Sequence, residues 1–154
     1  MKTLRPVLTF IFIAFIIIPF HSCKAPSAGC KHSEQMKYLP KITGSIYLGM
    51  KLEEFRKNKD MPKIQMDEGE FVSYAVEKFS GGNVTEVQYQ FDGDKILYEI
   101  IVAYNSTTDI KKEFTGKFGP PNDGEEWKFD SKEGFKMKIW VYQNRLCMGD
   151  ARHF

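Results

Sequence analysis

The chain is poor in the side chains from which most active sites are built. It has three histidines in 154 residues, His21, His32 and His153, and none lies in a patterned segment that a scaffold would hold in place. A Ser-His-Asp or Cys-His mechanism therefore has no evident general base. The three cysteines, Cys23, Cys30 and Cys147, show no CxxC or Cys/His spacing, which argues against a zinc site. Gly81-Gly82 lacks the GxxxxGK pattern that cradles phosphate. Acidic clusters at Asp67-Glu68-Gly69-Glu70, Asp92-Gly93-Asp94 and Asp123-Gly124-Glu125-Glu126 fall at expected loops and lack calcium-ligand spacing. Charge of one sign is also missing, with 22 Lys and Arg against 20 Asp and Glu, so long-range attraction to nucleic acid is not expected. These absences set the expectation of a protein that is not an enzyme, with no cofactor, no metal and no nucleic-acid partner.

The first feature that is present lies at the start. Lys2 and Arg5 precede an uncharged apolar run from Val7 to Phe20, and His21-Ser22-Cys23 ends it, the basic, apolar, small-residue layout of an export signal. The run is shorter than the roughly 20 apolar residues of a membrane span and contains Pro19. Phe20-His21-Ser22-Cys23 resembles the lipobox of bacterial lipoproteins, in which a small residue precedes a cysteine that is acylated and becomes the first residue. The resemblance implies a signal peptide over 1–22, lipidation at Cys23 and a lipid anchor in a bacterial membrane, with the chain facing the periplasm or the cell surface. The alternative is an ordinary secreted protein whose first cysteine sits near the cut by chance. Removal of Lys2 and Arg5 leaves 20 basic and 20 acidic residues, so the exported chain is formally neutral. With Cys23 carrying lipid, Cys30 and Cys147 can pair in an oxidising compartment. Equally, Cys147, between Leu146 and Met148, can be a buried free thiol. Residues 23–41, with Pro26, Ser27, Gly29, Ser33 and Pro40, have the composition of a tether.

Beyond the tether the pattern is helix followed by strands, and it occurs twice, over 42–105 and 106–154. In the first unit Lys51 to Asn58 has helical composition, with Leu52 and Phe55 on one face. Met66 to Glu70 reads as an acidic loop, and Phe71, Val72, Tyr74, Val76 and Phe79 as the first strand. Val87, Tyr89 and Phe91 then alternate with Glu86, Gln88 and Gln90, a strand buried on one face. Asp92-Gly93 should reverse the chain into Ile96 to Tyr104, which is apolar on both faces except at Glu99 and so belongs in the middle of a sheet. In the second unit Asp109 offers an N-cap, Ile110, Phe114 and Phe118 share a helical face, and Gly119-Pro120-Pro121 stops the helix. Trp127 to Phe129, Phe135 to Tyr142 and Arg145 to Met148 supply three strands. The expected fold class is α+β, with antiparallel sheets covered by helices in two αβββ units in tandem. The competing expectation is a single sheet whose halves merely look alike.

Ile46-x-x-Gly49-Met50-x-x-x-x-Phe55, with Pro62 seven positions on, resembles the start of the BamE-like (SmpA/OmlA) small outer-membrane lipoproteins, whose pattern runs through Gly-Met-Thr to Leu-Gly-x-Pro. The chain departs from it at Lys51, Lys59 and Asp60, while Lys117-Phe118-Gly119-Pro120 in the second unit lies nearer to it. The resemblance covers some 20 residues and implies a small α/β lipoprotein of the envelope. A tandem of such units resembles, in architecture alone, the β-lactamase inhibitor proteins.

Aromatic residues make up 14% of the chain, with 13 Phe and 7 Tyr, more than a domain of this size buries completely. The strand from Phe135 to Tyr142 shows where some could emerge. Phe135, Met137, Ile139 and Val141 form one apolar face, and Lys136, Lys138, Trp140 and Tyr142 the other. Lysines beside aromatic rings suit a protein interface, although the same rings can equally pack on the second unit or cover the lysine stems. The expected function is a non-catalytic, membrane-anchored binding or assembly module with a protein partner in the bacterial envelope. The alternative is a periplasmic small-ligand-binding or inhibitor-type protein with a cleft between its units. Mass spectrometry of the exported protein should find an N-terminal Cys23 with a diacyl or triacyl adduct, and an unmodified N-terminus elsewhere would overturn the lipoprotein reading.

Overall fold

The computed structural model describes residues 34–130 and 134–154. Seven strands occur in chain order: β1 (Ile64–Glu68), β2 (Ser73–Lys78), β3 (Val84–Phe91), β4 (Leu97–Tyr104), β5 (Trp127–Asp130), β6 (Lys136–Tyr142) and β7 (Arg145–Asp150). All join one antiparallel sheet in the order β1-β2-β3-β4-β7-β6-β5. Among the described residues two short helices accompany it, α1 (Leu52–Asn58) and α2 (Ile110–Phe118). The expectation of helix-covered sheets in two tandem αβββ units is therefore corrected. Pairing of β4 with β7 fuses the two meanders into a single sheet, and helices make up little of the described residues.

Alternation in β3 sends Val87, Tyr89 and Phe91 to one face, all fully buried. Register carries this inner face across the sheet through Ile100 and Val102 of β4, Leu146 and Met148 of β7, and Met137 and Ile139 of β6 to Trp127 of β5. Much of what lies over it is neither helix nor strand. Leu39, Ile46, Leu48 and Met50 are buried in the segment before α1, which is tied to β4 by Gly49 N–H donating to the Leu97 carbonyl (2.7 Å) and Leu97 N–H to that of Met50 (2.9 Å). Gln35 extends the tie, donating through Nε2 to the Leu48 carbonyl (3.2 Å) and accepting from its N–H (2.5 Å). A buried backbone without strand partners needs such side-chain bonds, because each unpaired amide would cost about 1–3 kcal/mol.

The helices add four buried residues, Leu52, Phe55, Ile110 and Phe114. Phe55 meets Tyr89 and Phe91 at centroid distances of 4.8 and 5.3 Å. In α2 the Asp109 carboxylate accepts from Lys112 N–H (3.0 Å), and Gly119, at φ 81°, closes the helix by donating to the Thr115 carbonyl. Phe114 and Phe118 reach Trp127 and Phe129 of β5, and Tyr38 stacks on Phe129 at 4.0 Å.

Three local expectations are also corrected. The acidic stretch from Met66 is not all loop, since β1 runs to Glu68 on the edge of the sheet. The reversal after β3 places its left-handed residue at Lys95 (φ 61°) rather than at Gly93, with Lys95 Nζ held by the Gly69 carbonyl and Ser73 Oγ. The first expected strand turns its apolar side chains outward. Ser73 and Ala75 of β2 are buried, whereas Tyr74 is 41% exposed and Phe71, outside the strand, 78%. The register explains this, because Ser73 lies opposite Phe91 and Ala75 opposite Tyr89. Two large rings on β3 leave room only for small neighbours on β2. Ala75→Leu should accordingly overpack this site and cost about 1–3 kcal/mol in urea melts, whereas Tyr74→Ala should stay within about 0.5 kcal/mol.

Candidate functional site

The outer face of the sheet, opposite the core, carries the residues of interest. Lys136, Lys138, Trp140 and Tyr142 share this face of β6, with Lys136 exposed, Lys138 and Trp140 half-buried and Tyr142 60% exposed. Their neighbours come from β7 and β4. Trp140 lies opposite Cys147, which lies opposite Ile101, and Lys138 lies opposite Gly149, which lies opposite Glu99. Glu99 and Lys138 thus flank a residue without a side chain, about 10 Å apart from backbone to backbone, or two strand spacings.

The tail after β7 covers this gap. Asp150 is buried and makes the turn: its carboxylate accepts from Arg152 N–H (3.0 Å) and Arg152 Nε (2.8 Å). Burial works to raise the Asp150 carboxyl, but the hydrogen bonds and charge of Arg152 outweigh it and hold the group below the usual carboxylate range. From this turn His153 stacks obliquely on Tyr98 (5.4 Å), with Nε2 3.7 Å from an Asp92 carboxylate oxygen. Phe154 lies edge-on to Trp140 (5.6 Å), 6.2 Å from Tyr98 and 5.9 Å from Lys138 Nζ. A Cβ at Gly149 would stand 3.2 Å from Cδ2 and Cζ of Phe154 and closer still to Cε2. The glycine is therefore what admits the ring.

Glu99 is 8% exposed, and among the described residues its carboxylate has neither a hydrogen bond nor an ion pair. Desolvation raises its pKa. The Cys147 thiol is pushed up to about 11, mainly by burial and further by the Glu99 charge, against the opposing influence of Arg145. A thiol so raised stays protonated and is a poor nucleophile at neutral pH. Cys147 forms no disulfide with another described residue. Cys23, Cys30 and His32 lie outside the described residues. On the inner side, Lys59 Nζ bonds Glu77 (2.7 Å) and sits 5.0 Å over the ring of Tyr89, a nearly buried pair beside the core.

Sequence reasoning named the β6 side chains as candidates but not Tyr98, Gly149, Phe154 or the contact of His153 with Asp92. The only signals were a single glutamate in an apolar strand and a glycine in another. No group of three His, Cys, Asp or Glu residues among those described stands close enough to hold a metal ion.

Because the folded pKa of Glu99 is raised, the folded state binds more protons than the unfolded one between the ordinary glutamate pKa and the raised value. Stability should therefore fall as pH rises through that window, and the penalty should be complete above it. Glu99→Gln should raise the melting temperature at pH 7, with the difference from wild type vanishing below about pH 4, where the carboxyl is protonated in both states. A melting series across pH checks this. Comparison with protein families, curated proteins and solved structures finds no match for this chain.

Proposed function

We propose that the chain is a non-catalytic binding or assembly module, anchored by lipid at Cys23 to a bacterial envelope membrane, that engages a protein partner through the outer face of its sheet. The observation that carries this reading is the aromatic and basic surface of Lys136, Lys138, Trp140 and Tyr142, held on one side of β6 with no layer of secondary structure over it. Trp and Tyr give large contact area with a polar handle, which is why they recur in binding surfaces. The basic start, apolar run and Cys23 of the sequence supply the export and anchoring part of the proposal, together with the resemblance to the BamE-like lipoproteins. The alternative of a ligand cleft between two units loses its geometric basis, because β4 and β7 pair directly where the halves meet.

A photo-crosslinking amino acid at position 142 tests the proposal in intact bacteria, since Tyr142 is exposed enough to be replaced without loss of folding. A discrete adduct with an envelope protein is expected from that position and not from position 57, on the exposed side of α1. Trp140→Ala should reduce the adduct while costing about 1 kcal/mol of stability. Equal labelling from both positions, or none from either, would sink the idea.

A further inference from the structure

Phe154 is seated on the sheet as an occupant rather than as part of the core. On the outer face β7 presents Arg145, Cys147 and Gly149, and the ring lies over the one position without a side chain. Trp140 and Tyr98 flank it, Lys138 approaches its π system, and Glu99 is buried beside it without a partner. The slot is thus aromatic, with a carboxylate on one side and an ammonium on the other. Yet Phe154 itself is 56% exposed, so its contact with the slot gains only part of what full burial would. A segment fastened by one turn at Asp150 and by a half-seated ring belongs to the low-stability end of local opening.

The chemistry beside the ring is also specific. His153 stands against Asp92, so the residue preceding the ring meets a carboxylate. We propose that this slot is the recognition site for an extended protein segment carrying a basic residue immediately before an aromatic one, and that His153-Phe154 occupies it in the resting chain as a displaceable strap. The inference rests on the outer face being a protein-binding surface and adds the identity of the segment and its regulation. A segment from outside competes with a tethered one, so its apparent affinity is reduced by the fraction of time the strap is open.

The test uses the isotope-labelled chain and an acetylated peptide, Ala-Arg-His-Phe, matching residues 151–154, with the Trp140 indole and Gly149 amide resonances as readouts. Phe154→Ala should bind the peptide at least about ten-fold more tightly than wild type, because the competitor is removed. Changing the peptide histidine to glutamate should weaken binding by about ten-fold or more, and changing its phenylalanine to alanine should abolish it. Gly149→Ala in the Phe154→Ala background should also abolish binding with the melting curve unchanged. If that variant is unstable, Trp140→Leu must lower peptide affinity instead. Equal affinity for wild type and Phe154→Ala, or binding indifferent to Gly149→Ala, overturns the proposal. So does tail exchange between two copies, seen as a wild-type dimer by light scattering that Phe154→Ala abolishes. A crosslink at position 142 without peptide binding defeats the slot alone, whereas peptide binding without the crosslink defeats the envelope-partner reading.

Discussion

The pairing of β4 with β7 is the constraint on which the rest of the molecule depends. Its register sets Ile100 beside Met148 and Val102 beside Leu146 on the inner face, making one continuous core from two meanders. The same register, read on the other face, sets Glu99 beside Gly149 and Ile101 beside Cys147. Because strand side chains alternate strictly, a one-residue slip would send Met148 outward and Glu99 into the core, so the core enforces the geometry of the outer surface. The slot under Phe154 is in this sense a by-product of hydrophobic packing on the opposite side.

Packing on the inner face follows volume rather than hydrophobicity alone. Tyr89 and Phe91 take the space between β3 and α1, leaving β2 to contribute Ser73 and Ala75. At the other end Tyr38 meets Phe118, Phe129 and Phe135, so the segment that leads into the domain is fastened where α2 and β5 meet. Half of the aromatic rings among the described residues thus pack into two internal clusters. Of the rings outside those clusters, Trp140, Tyr98 and Phe154 gather at one place.

Glu99 gives that place its electrostatic character. A buried carboxylate without a hydrogen-bond or ion-pair partner costs stability, and burial raises its pKa. Lys138 is held away by the width of the Gly149 gap and reaches Glu126 at 3.6 Å instead. Glu99 is therefore left without a cation from the neighbouring strand.

Local pattern by itself determined the strands β3, β4, β6 and β7, the short helices and their stops, because these depend on side-chain period and on residues such as Asp109 and Gly119 that act within one turn. It determined too that Lys136, Lys138, Trp140 and Tyr142 share a face, since alternation along a strand needs no tertiary contact. Tertiary structure decided the rest. Whether the two similar halves stand apart or fuse depends on a strand pairing across some 45 residues, which no local pattern records. The outward turn of Tyr74 depends on the size of Phe91 and Tyr89 across the ladder, not on the hydrophobicity of β2. The slot itself joins Tyr98 and Glu99 of β4, Trp140 of β6, Gly149 of β7 and the tail beyond it. Only the assembled sheet brings those residues within reach, because they come from three strands whose meeting is fixed by register rather than by sequence separation.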